Sequence, residues 1–146
     1  MPIRTRTALI GMTLLLCPLA GAAEEAAMPA AEAFEQMTSE QAVLIDIRQP
    51  EEWRETGMAP DAIGISMQQP GGERAFRDAL LDAVDGDRDA PIVLICRTGN
   101  RSDQVRRAMR EWGFTDVSHV AEGMLGSTHG PGWIGAGLPV EDCPIC

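Results

Sequence analysis

The sequence predicts an α/β fold with a parallel sheet, because short aliphatic runs alternate with segments of helical periodicity along its 146 residues. Residues 91–95 are almost continuously aliphatic, which indicates a strand buried on both faces, as in a parallel sheet. Residues 102–112 have the clearest helical period, with apolar side chains three and four positions apart. The length favours one domain, and the apolar fraction of 45% is typical of globular proteins.

The remaining elements follow the same alternation in chain order. Three more segments have helical character, namely residues 30–38, 50–56 and 73–84. Three more apolar runs are typical of strands, namely residues 43–47, 62–65 and 117–120. Pro50 suits a first helical turn, whereas Gly57 and Gly113 suit the position after a last turn.

Charge excludes two classes of partner. The formal net charge is −10, and all 12 basic residues are arginines. An acidic domain of this kind repels the phosphate backbone, so we expect no nucleic-acid partner. For the same reason it should avoid anionic membrane surfaces.

The N-terminal segment has the pattern of a secretory signal peptide. Arginines near the start precede a mostly apolar stretch over residues 8–19, and small residues follow at positions 20–22. We therefore predict a signal peptide over residues 1–23, and hence export, to the periplasm if the source is a Gram-negative bacterium. The apolar stretch is too short to span a bilayer comfortably, so we expect no stable membrane insertion after cleavage. An uncleaved membrane anchor is the alternative.

Composition divides the rest of the chain into three parts. Residues 24–29 are small and acidic and are expected to form a flexible linker. Residues 30–140 are expected to form the folded domain. Residues 141–146 are expected to form a C-terminal tail that contains a Cys-x-x-Cys pair.

The number of cysteines predicts one disulfide and one free thiol. Cleavage of the signal peptide would remove Cys17 and leave three cysteines. An odd number in an exported protein suggests one pair and one unpaired thiol. The pair most easily formed joins Cys143 to Cys146, which leaves Cys96 free.

The candidate chemistry lies between the strongest predicted strand and the clearest predicted helix. Ligands bind in open α/β sheets at the carboxyl ends of strands, and a helix N-terminus with arginines nearby favours a thiolate. Gly99 permits a tight turn around an anion. Cys96 is therefore predicted to be a nucleophile inside a small anion-binding loop. The alternative is a buried cysteine that packs as a small hydrophobe.

Four segments resemble the rhodanese family. Residues 96–102 are similar to its active-site loop, and residues 46–53 resemble its signature of Asp, a hydrophobic residue, Arg, three residues, Glu and an aromatic residue. Residues 57–62 resemble the family segment Gly-His-Ile-Pro-Gly-Ala, and residues 137–140 resemble its usual ending. The resemblance extends over about residues 30–140 and implies a central, mainly parallel five-stranded sheet with helices on both faces.

The resemblance also implies a sulfurtransferase that needs no cofactor, with Cys96 as the catalytic residue. Its thiolate would take sulfur from a small anionic donor such as thiosulfate, and the resulting persulfide would pass the sulfur to a thiol or to cyanide. The loop would bind the persulfide and the anionic donor through Arg97, Thr98, Gly99, Asn100, Arg101 and Ser102. Asp46 and Arg48 follow a different strand and are interpreted as structural, bracing neighbouring loops.

Three other functions stay open at this stage. A tyrosine or dual-specificity phosphatase also uses a loop cysteine, but its motif places five residues before the arginine, and only four separate Cys96 from Arg101. Cys143 and Cys146 could instead form a redox pair or part of a metal site. The same pair could accept sulfur from Cys96. A persulfide carrier without catalytic turnover is the third alternative.

Overall fold

Five parallel strands form the central sheet of the computed structural model, which describes residues 26–143 and residue 146. The strands are β1 (Ala27–Met28), β2 (Val43–Asp46), β3 (Ile63–Gly64), β4 (Ile92–Ile95) and β5 (Val117–Val120). The helices are α1 (Ala30–Thr38), α2 (Pro50–Thr56), α3 (Gly72–Asp82), α4 (Asn100–Glu111) and α5 (Gly132–Gly135). The predicted signal peptide, residues 1–23, lies outside the described residues. Within the described residues, every helix is too short or too polar to cross a bilayer.

β4 lies at the centre of the sheet, whose strand order is β1-β5-β4-β2-β3. Leu94 of β4 is the register partner of Ile45 in β2 and of His119 in β5. All four residues of β4 are buried, as its aliphatic run predicts. The expected α/β fold with a five-stranded sheet is confirmed, and all the strand pairs are parallel.

Each face of the sheet has its own hydrophobic core, because alternate side chains of β4 point to opposite faces. Ile92 and Leu94 belong to a cluster with side chains of α3 and α4. Val93 and Ile95 belong to a second cluster with side chains of α1 and α5. Helices therefore cover both faces, as expected. Cys96 lies in the cluster formed with α3 and α4.

The expectation of a flexible linker over residues 24–29 does not hold for its second half. Ala27 and Met28 form β1, which pairs in parallel with His119 and Val120 of β5. Met28 is only 5% exposed and packs in the core beside α1. Backbone pairing and burial therefore order this segment. Its composition does not reveal this, because a strand of two residues is too short to show periodicity.

A buried carboxylate holds the turn after β5. The two oxygens of Glu122 accept the backbone N–H groups of Ala30 at 2.6 Å and of Gly132 at 3.0 Å. Glu122 thus joins the first residues of α1 to those of α5. A carboxylate suits this position, because helix N-termini present unpaired N–H groups. Trp133 of α5 is consequently held fully buried in the core beside α1.

The C-terminal tail pairs with the segment that follows α2. Met58 and Glu141 exchange two backbone hydrogen bonds of 2.9 and 2.8 Å. Cys143 and Cys146 are joined by a disulfide with a Cα–Cα distance of 5.4 Å. Cys96 is the free thiol among the described cysteines.

A buried ion pair joins the end of β2 to the end of α2. Arg48 Nη2 lies 2.7 Å from Asp46 Oδ2, and both side chains are at most 1% exposed. The guanidinium also donates to the carbonyl of Gly57 at 2.8 Å and to Thr56 Oγ1 at 2.7 Å. The arginine is therefore bound by a carboxylate and by neutral acceptors, as a buried charge requires.

Replacement of Arg48 by alanine should lower the free energy of unfolding by about 3–5 kcal/mol, because Asp46 is then left unpaired in the core. Arg54→Ala is the matched control, since it removes only an exposed ion pair with Glu51 and should cost less than about 1 kcal/mol. Chemical denaturation measures both losses. Equal losses would contradict a structural role for the buried pair.

Candidate active site

Cys96 directly follows the central strand β4 and is fully buried. It therefore lies at the carboxyl end of a parallel strand, the edge at which open α/β sheets bind ligands. Residues 97–99 connect it to α4, a helix of 12 residues. The sulfur thus lies at the N-terminus of a long helix, where backbone N–H groups are unpaired within the helix.

Three hydrogen-bond partners surround the Cys96 sulfur. The backbone N–H groups of Gly99 and Ser102 donate to Sγ at 3.2 and 3.4 Å. The hydroxyl oxygen of Ser102 lies 3.4 Å from the same sulfur. Hydrogen bonds from N–H groups stabilise an anionic sulfur more than a neutral one, so this arrangement suits a thiolate or a persulfide anion.

Gly99 sets the shape of the loop. Its φ of +91° is left-handed, and α4 begins immediately afterwards at Asn100, two residues earlier than its periodicity predicts. A Cβ atom at Gly99 would overlap the carbonyl oxygen of Ala121, in the turn after β5. At Gly123, with φ of +66°, a Cβ would lie 2.6 Å from the carbonyl oxygen of Arg97. The two backbones therefore approach closely at both glycines.

Backbone hydrogen bonds join the loop to the same turn. The N–H of Met124 donates to the Cys96 carbonyl at 2.8 Å, and the N–H of Leu125 donates to the Arg97 carbonyl at 2.9 Å. These two carbonyl oxygens of the loop therefore accept hydrogen bonds from the turn. The N–H groups of Gly99 and Ser102 are the backbone groups that contact the sulfur.

Arg101 forms a bidentate ion pair with Glu52 of α2. Its Nη1 and Nη2 donate to Oε2 and Oε1 at 2.8 and 2.6 Å. Burial opposes ionisation of Glu52, but hydrogen bonds from Arg101 and from the backbone of Gln49 hold the pKa of Glu52 below its ordinary value. The same hydrogen bond from Arg101 to Glu52 raises the pKa of Arg101. The pair ties the start of α4 to α2.

Arg97 is held more loosely than Arg101. Its side chain is 45% exposed, and its Nη1 lies 3.8 Å from Glu52 and 3.7 Å from Glu55. Thr98 is partly buried, and Asn100 is exposed at the start of α4. Two arginines thus face two glutamates around the loop. The groups that contact the sulfur are backbone N–H groups and not arginine side chains. Binding of the anionic sulfur donor by Arg97 or Arg101 stays a prediction.

Glu52 and His119 contact this site although neither is among the predicted site residues. Glu52 belongs to the segment over residues 46–53 that resembles a family signature, but only the fold shows that it reaches Arg101. His119 Nδ1 lies 3.2 Å from Ser102 Oγ. The only signal in the sequence that could have pointed to His119 is its position in the predicted strand over residues 117–120.

Residues 30–128 match the family model of the rhodanese-like domain. This chain belongs to the rhodanese-like domain family. Loop residues 96–102, which surround the nucleophile, lie inside the matched region. The predicted resemblance is therefore confirmed.

Relatives of this rhodanese-like domain include proteins with and without an assigned activity. It is 27% identical over 103 residues to uncharacterized protein RP600 of Rickettsia prowazekii, which covers 67% of this chain and 81% of that protein. It is 33% identical over 96 residues to the adenylyltransferase and sulfurtransferase uba4 of Pyricularia oryzae, which covers 57% of this chain and 19% of that protein. The crystal structure of Rv0390 from M. tuberculosis superposes with a TM-score of 0.62 at 26% identity, over 80% of this chain and 97% of that one.

These similarities support sulfur transfer as the activity of this rhodanese-like domain at the level of the family. The site is compatible with that chemistry, because a free cysteine lies against N–H donors at a helix N-terminus. The family model spans more than half of the chain, whereas the relative named as a sulfurtransferase is a much longer protein.

Gly99→Ala should slow sulfur transfer about 100-fold, since the new Cβ displaces the loop from Ala121 and removes an N–H donor from the sulfur. Gly86→Ala is the control, because Gly86 also has a left-handed φ, of +82°, but its Cβ would meet no atom within 4 Å. Initial rates of sulfur transfer compare the two variants. Similar rates in both would contradict the role of the close approach at Gly99.

Glu52→Gln should destabilise the fold by about 1–3 kcal/mol at pH 7, because the carboxylate that binds Arg101 is lost. Because folding lowers the pKa of Glu52, its ionised form stabilises the fold above the ordinary glutamate pKa, and this contribution is lost as the pH falls through the lowered pKa.

The difference in stability between the wild type and Glu52→Gln should therefore shrink toward acid, which denaturant titrations at several pH values would show. Glu51→Gln is the control, since among the described residues Glu51 pairs with the exposed Arg54 alone. A difference that is constant with pH would exclude ionised Glu52 as its source.

Proposed function

We propose that this protein is a thiosulfate-type sulfurtransferase that carries sulfur as a persulfide on Cys96. The observation that carries the proposal is the set of N–H donors from Gly99 and Ser102 to the Cys96 sulfur. A persulfide places a second, anionic sulfur beyond Sγ, and oriented donors at a helix N-terminus stabilise such a charge. Membership of the rhodanese-like domain family supports the same chemistry.

The reaction proceeds in two displacement steps. The Cys96 thiolate attacks the outer sulfur of thiosulfate, a new S–S bond forms, and the bond to the inner sulfur breaks as sulfite leaves with the electron pair. A thiolate or cyanide then attacks the terminal sulfur of the persulfide. The Cys96 thiolate leaves with its electron pair and is ready for another cycle. Such a sequence gives ping-pong kinetics.

We propose different tasks for the two arginines. Arg101 is bound to Glu52 at 2.6 Å, which supports a role in holding the loop in place. Arg97 is 45% exposed, and its contacts with glutamates exceed 3.5 Å, which leaves its guanidinium free to meet an anionic donor.

The structure offers less support for a phosphatase. Ser102 occupies the position at which a phosphatase motif requires its arginine. Arg101 is engaged by Glu52 in a bidentate pair. Phosphoryl transfer relies on positive charge around three peripheral oxygens, and this pair leaves Arg97 as the one arginine of the loop outside a bidentate ion pair.

The terminal cysteine pair is a second candidate for chemistry in this chain. The Cys143–Cys146 disulfide contacts Met58, with Cys146 Sγ 3.9 Å from Met58 Sδ. In the described part of the chain, no third His, Cys, Asp or Glu joins this pair to form a group of three metal ligands. A redox role, or acceptance of sulfur from Cys96, remains a separate hypothesis from the activity of Cys96.

We also propose that the protein is exported. The basic, apolar and small segments of residues 1–23 support a cleaved signal peptide. A disulfide between Cys143 and Cys146 is in keeping with an oxidising compartment. In a Gram-negative source this compartment would be the periplasm.

Incubation with thiosulfate should add one sulfur atom to the wild type, as measured by intact mass. The added sulfur should be lost on addition of cyanide, because the persulfide is electrophilic at its terminal sulfur. Cys96→Ser should gain no sulfur. A folded wild type with a free Cys96 thiol that gains no sulfur from thiosulfate would overturn the proposed donor.

Two further measurements test the alternative roles, namely a C-terminal tail that accepts sulfur and a persulfide carrier without catalytic turnover. Cys143→Ser combined with Cys146→Ser should gain sulfur like the wild type and should pass it to a thiol at the same rate. A slower transfer in this variant would instead assign the tail a role as sulfur acceptor. Slow turnover with every small acceptor, despite full persulfide formation, would favour a carrier over an enzyme.

A further inference from the structure

Ser102 connects Cys96 to a histidine on β5. Its Oγ lies 3.4 Å from Cys96 Sγ and 3.2 Å from His119 Nδ1. Its single proton has two acceptors within reach, the imidazole and the Gly99 carbonyl at 2.9 Å. A hydroxyl can accept one hydrogen bond while it donates another. The three side chains therefore form a continuous chain from thiol to imidazole.

The buried position of Cys96 makes such a connection useful. Cys96 and Ser102 are both fully buried, which limits the direct loss of the thiol proton to solvent. His119 is 6% exposed and lines a cavity of about 260 Å³. Of the three side chains, the imidazole alone lines this cavity and can take up a proton near neutral pH.

Asp103 of α4 favours one tautomer of the His119 imidazole. Its Oδ1 lies 3.8 Å from His119 Nε2, which favours a proton on that nitrogen and leaves Nδ1 free to accept from Ser102. Burial lowers the pKa of His119, although Asp103 acts in the opposite direction. Burial thus favours the neutral imidazole, which is the form that can accept a proton.

The remaining charged groups around His119 come from α4 and from the loop after β5. Arg106 and Arg107 each donate to Asp103 at 2.7 Å, so the carboxylate partly offsets both positive charges. His129 lines the same cavity. These four are the titratable groups besides His119 among the described residues of the cavity wall. A negative charge on Cys96 would supply a further favourable partner for an imidazolium.

We propose that His119 takes up the Cys96 proton through Ser102 and thereby prepares the nucleophile. The thiol proton passes to Ser102 Oγ while the hydroxyl proton passes to His119 Nδ1. Thiol and neutral imidazole become thiolate and imidazolium, no electrons are exchanged, and the net charge is unchanged. His119 is a positioning residue, because it acts through Ser102 and does not touch the sulfur. The inference rests on the proposed function, which requires the thiolate.

Thiolate absorbance tests the proposal in the full chain without any sulfur donor. Ultraviolet titration of each protein, minus that of its Cys96→Ser counterpart, isolates the Cys96 signal. In His119→Asn the rise in absorbance should move to higher pH by about one unit, since the favourable imidazolium is lost. Ser102→Ala should show a shift in the same direction. His129→Asn, a histidine of the same cavity, should titrate like the wild type.

A reciprocal measurement follows from linkage, because coupling between two titrating groups acts equally in both directions. In Cys96→Ser, the NMR titration of the His119 ring should move to lower pH by a similar amount. Unchanged titrations of both groups in variants that retain the wild-type circular dichroism would overturn the proposal. A shift in Ser102→Ala without one in His119→Asn would also overturn it. A wild type that shows the coupling but gains no sulfur would overturn only the proposed function.

Discussion

The close approach of two backbones at Gly99 and Gly123 fixes the position of the Cys96 sulfur. The loops after β4 and β5 lie side by side because these strands are neighbours in the sheet. Two hydrogen bonds from the 123–125 segment to the carbonyls of Cys96 and Arg97 hold them together. The start of α4, the donors to the sulfur and the reach of Ser102 toward β5 all depend on that contact.

Carboxylates that are buried or partly buried secure the other segments around the site. Asp46 binds Arg48 at the end of β2, Glu52 binds Arg101 at the start of α4, and Glu122 binds the N-termini of α1 and α5. Each of these acids has partners that compensate its burial. An acidic chain therefore uses a few of its carboxylates as internal ties and leaves the others to give the surface its negative charge.

The sequence predicts the parts of this molecule that depend on local pattern. The aliphatic run of β4, the periodicity of α4 and the loop between them suffice to place Cys96 at the correct edge of the sheet. The two-residue strand β1 is too short to show a period. Glu52 and His119 reach the site only through tertiary contacts, and the start of α4 depends on the Gly99 conformation and on a neighbouring loop.

The terminal disulfide closes a very short loop, since its cysteines are only three positions apart. Crosslinks over short loops remove little entropy from the unfolded chain and so stabilise little. The tail is instead anchored by the backbone pairing of Met58 with Glu141. The Cys143–Cys146 disulfide therefore contributes little to the stability of the domain that carries Cys96.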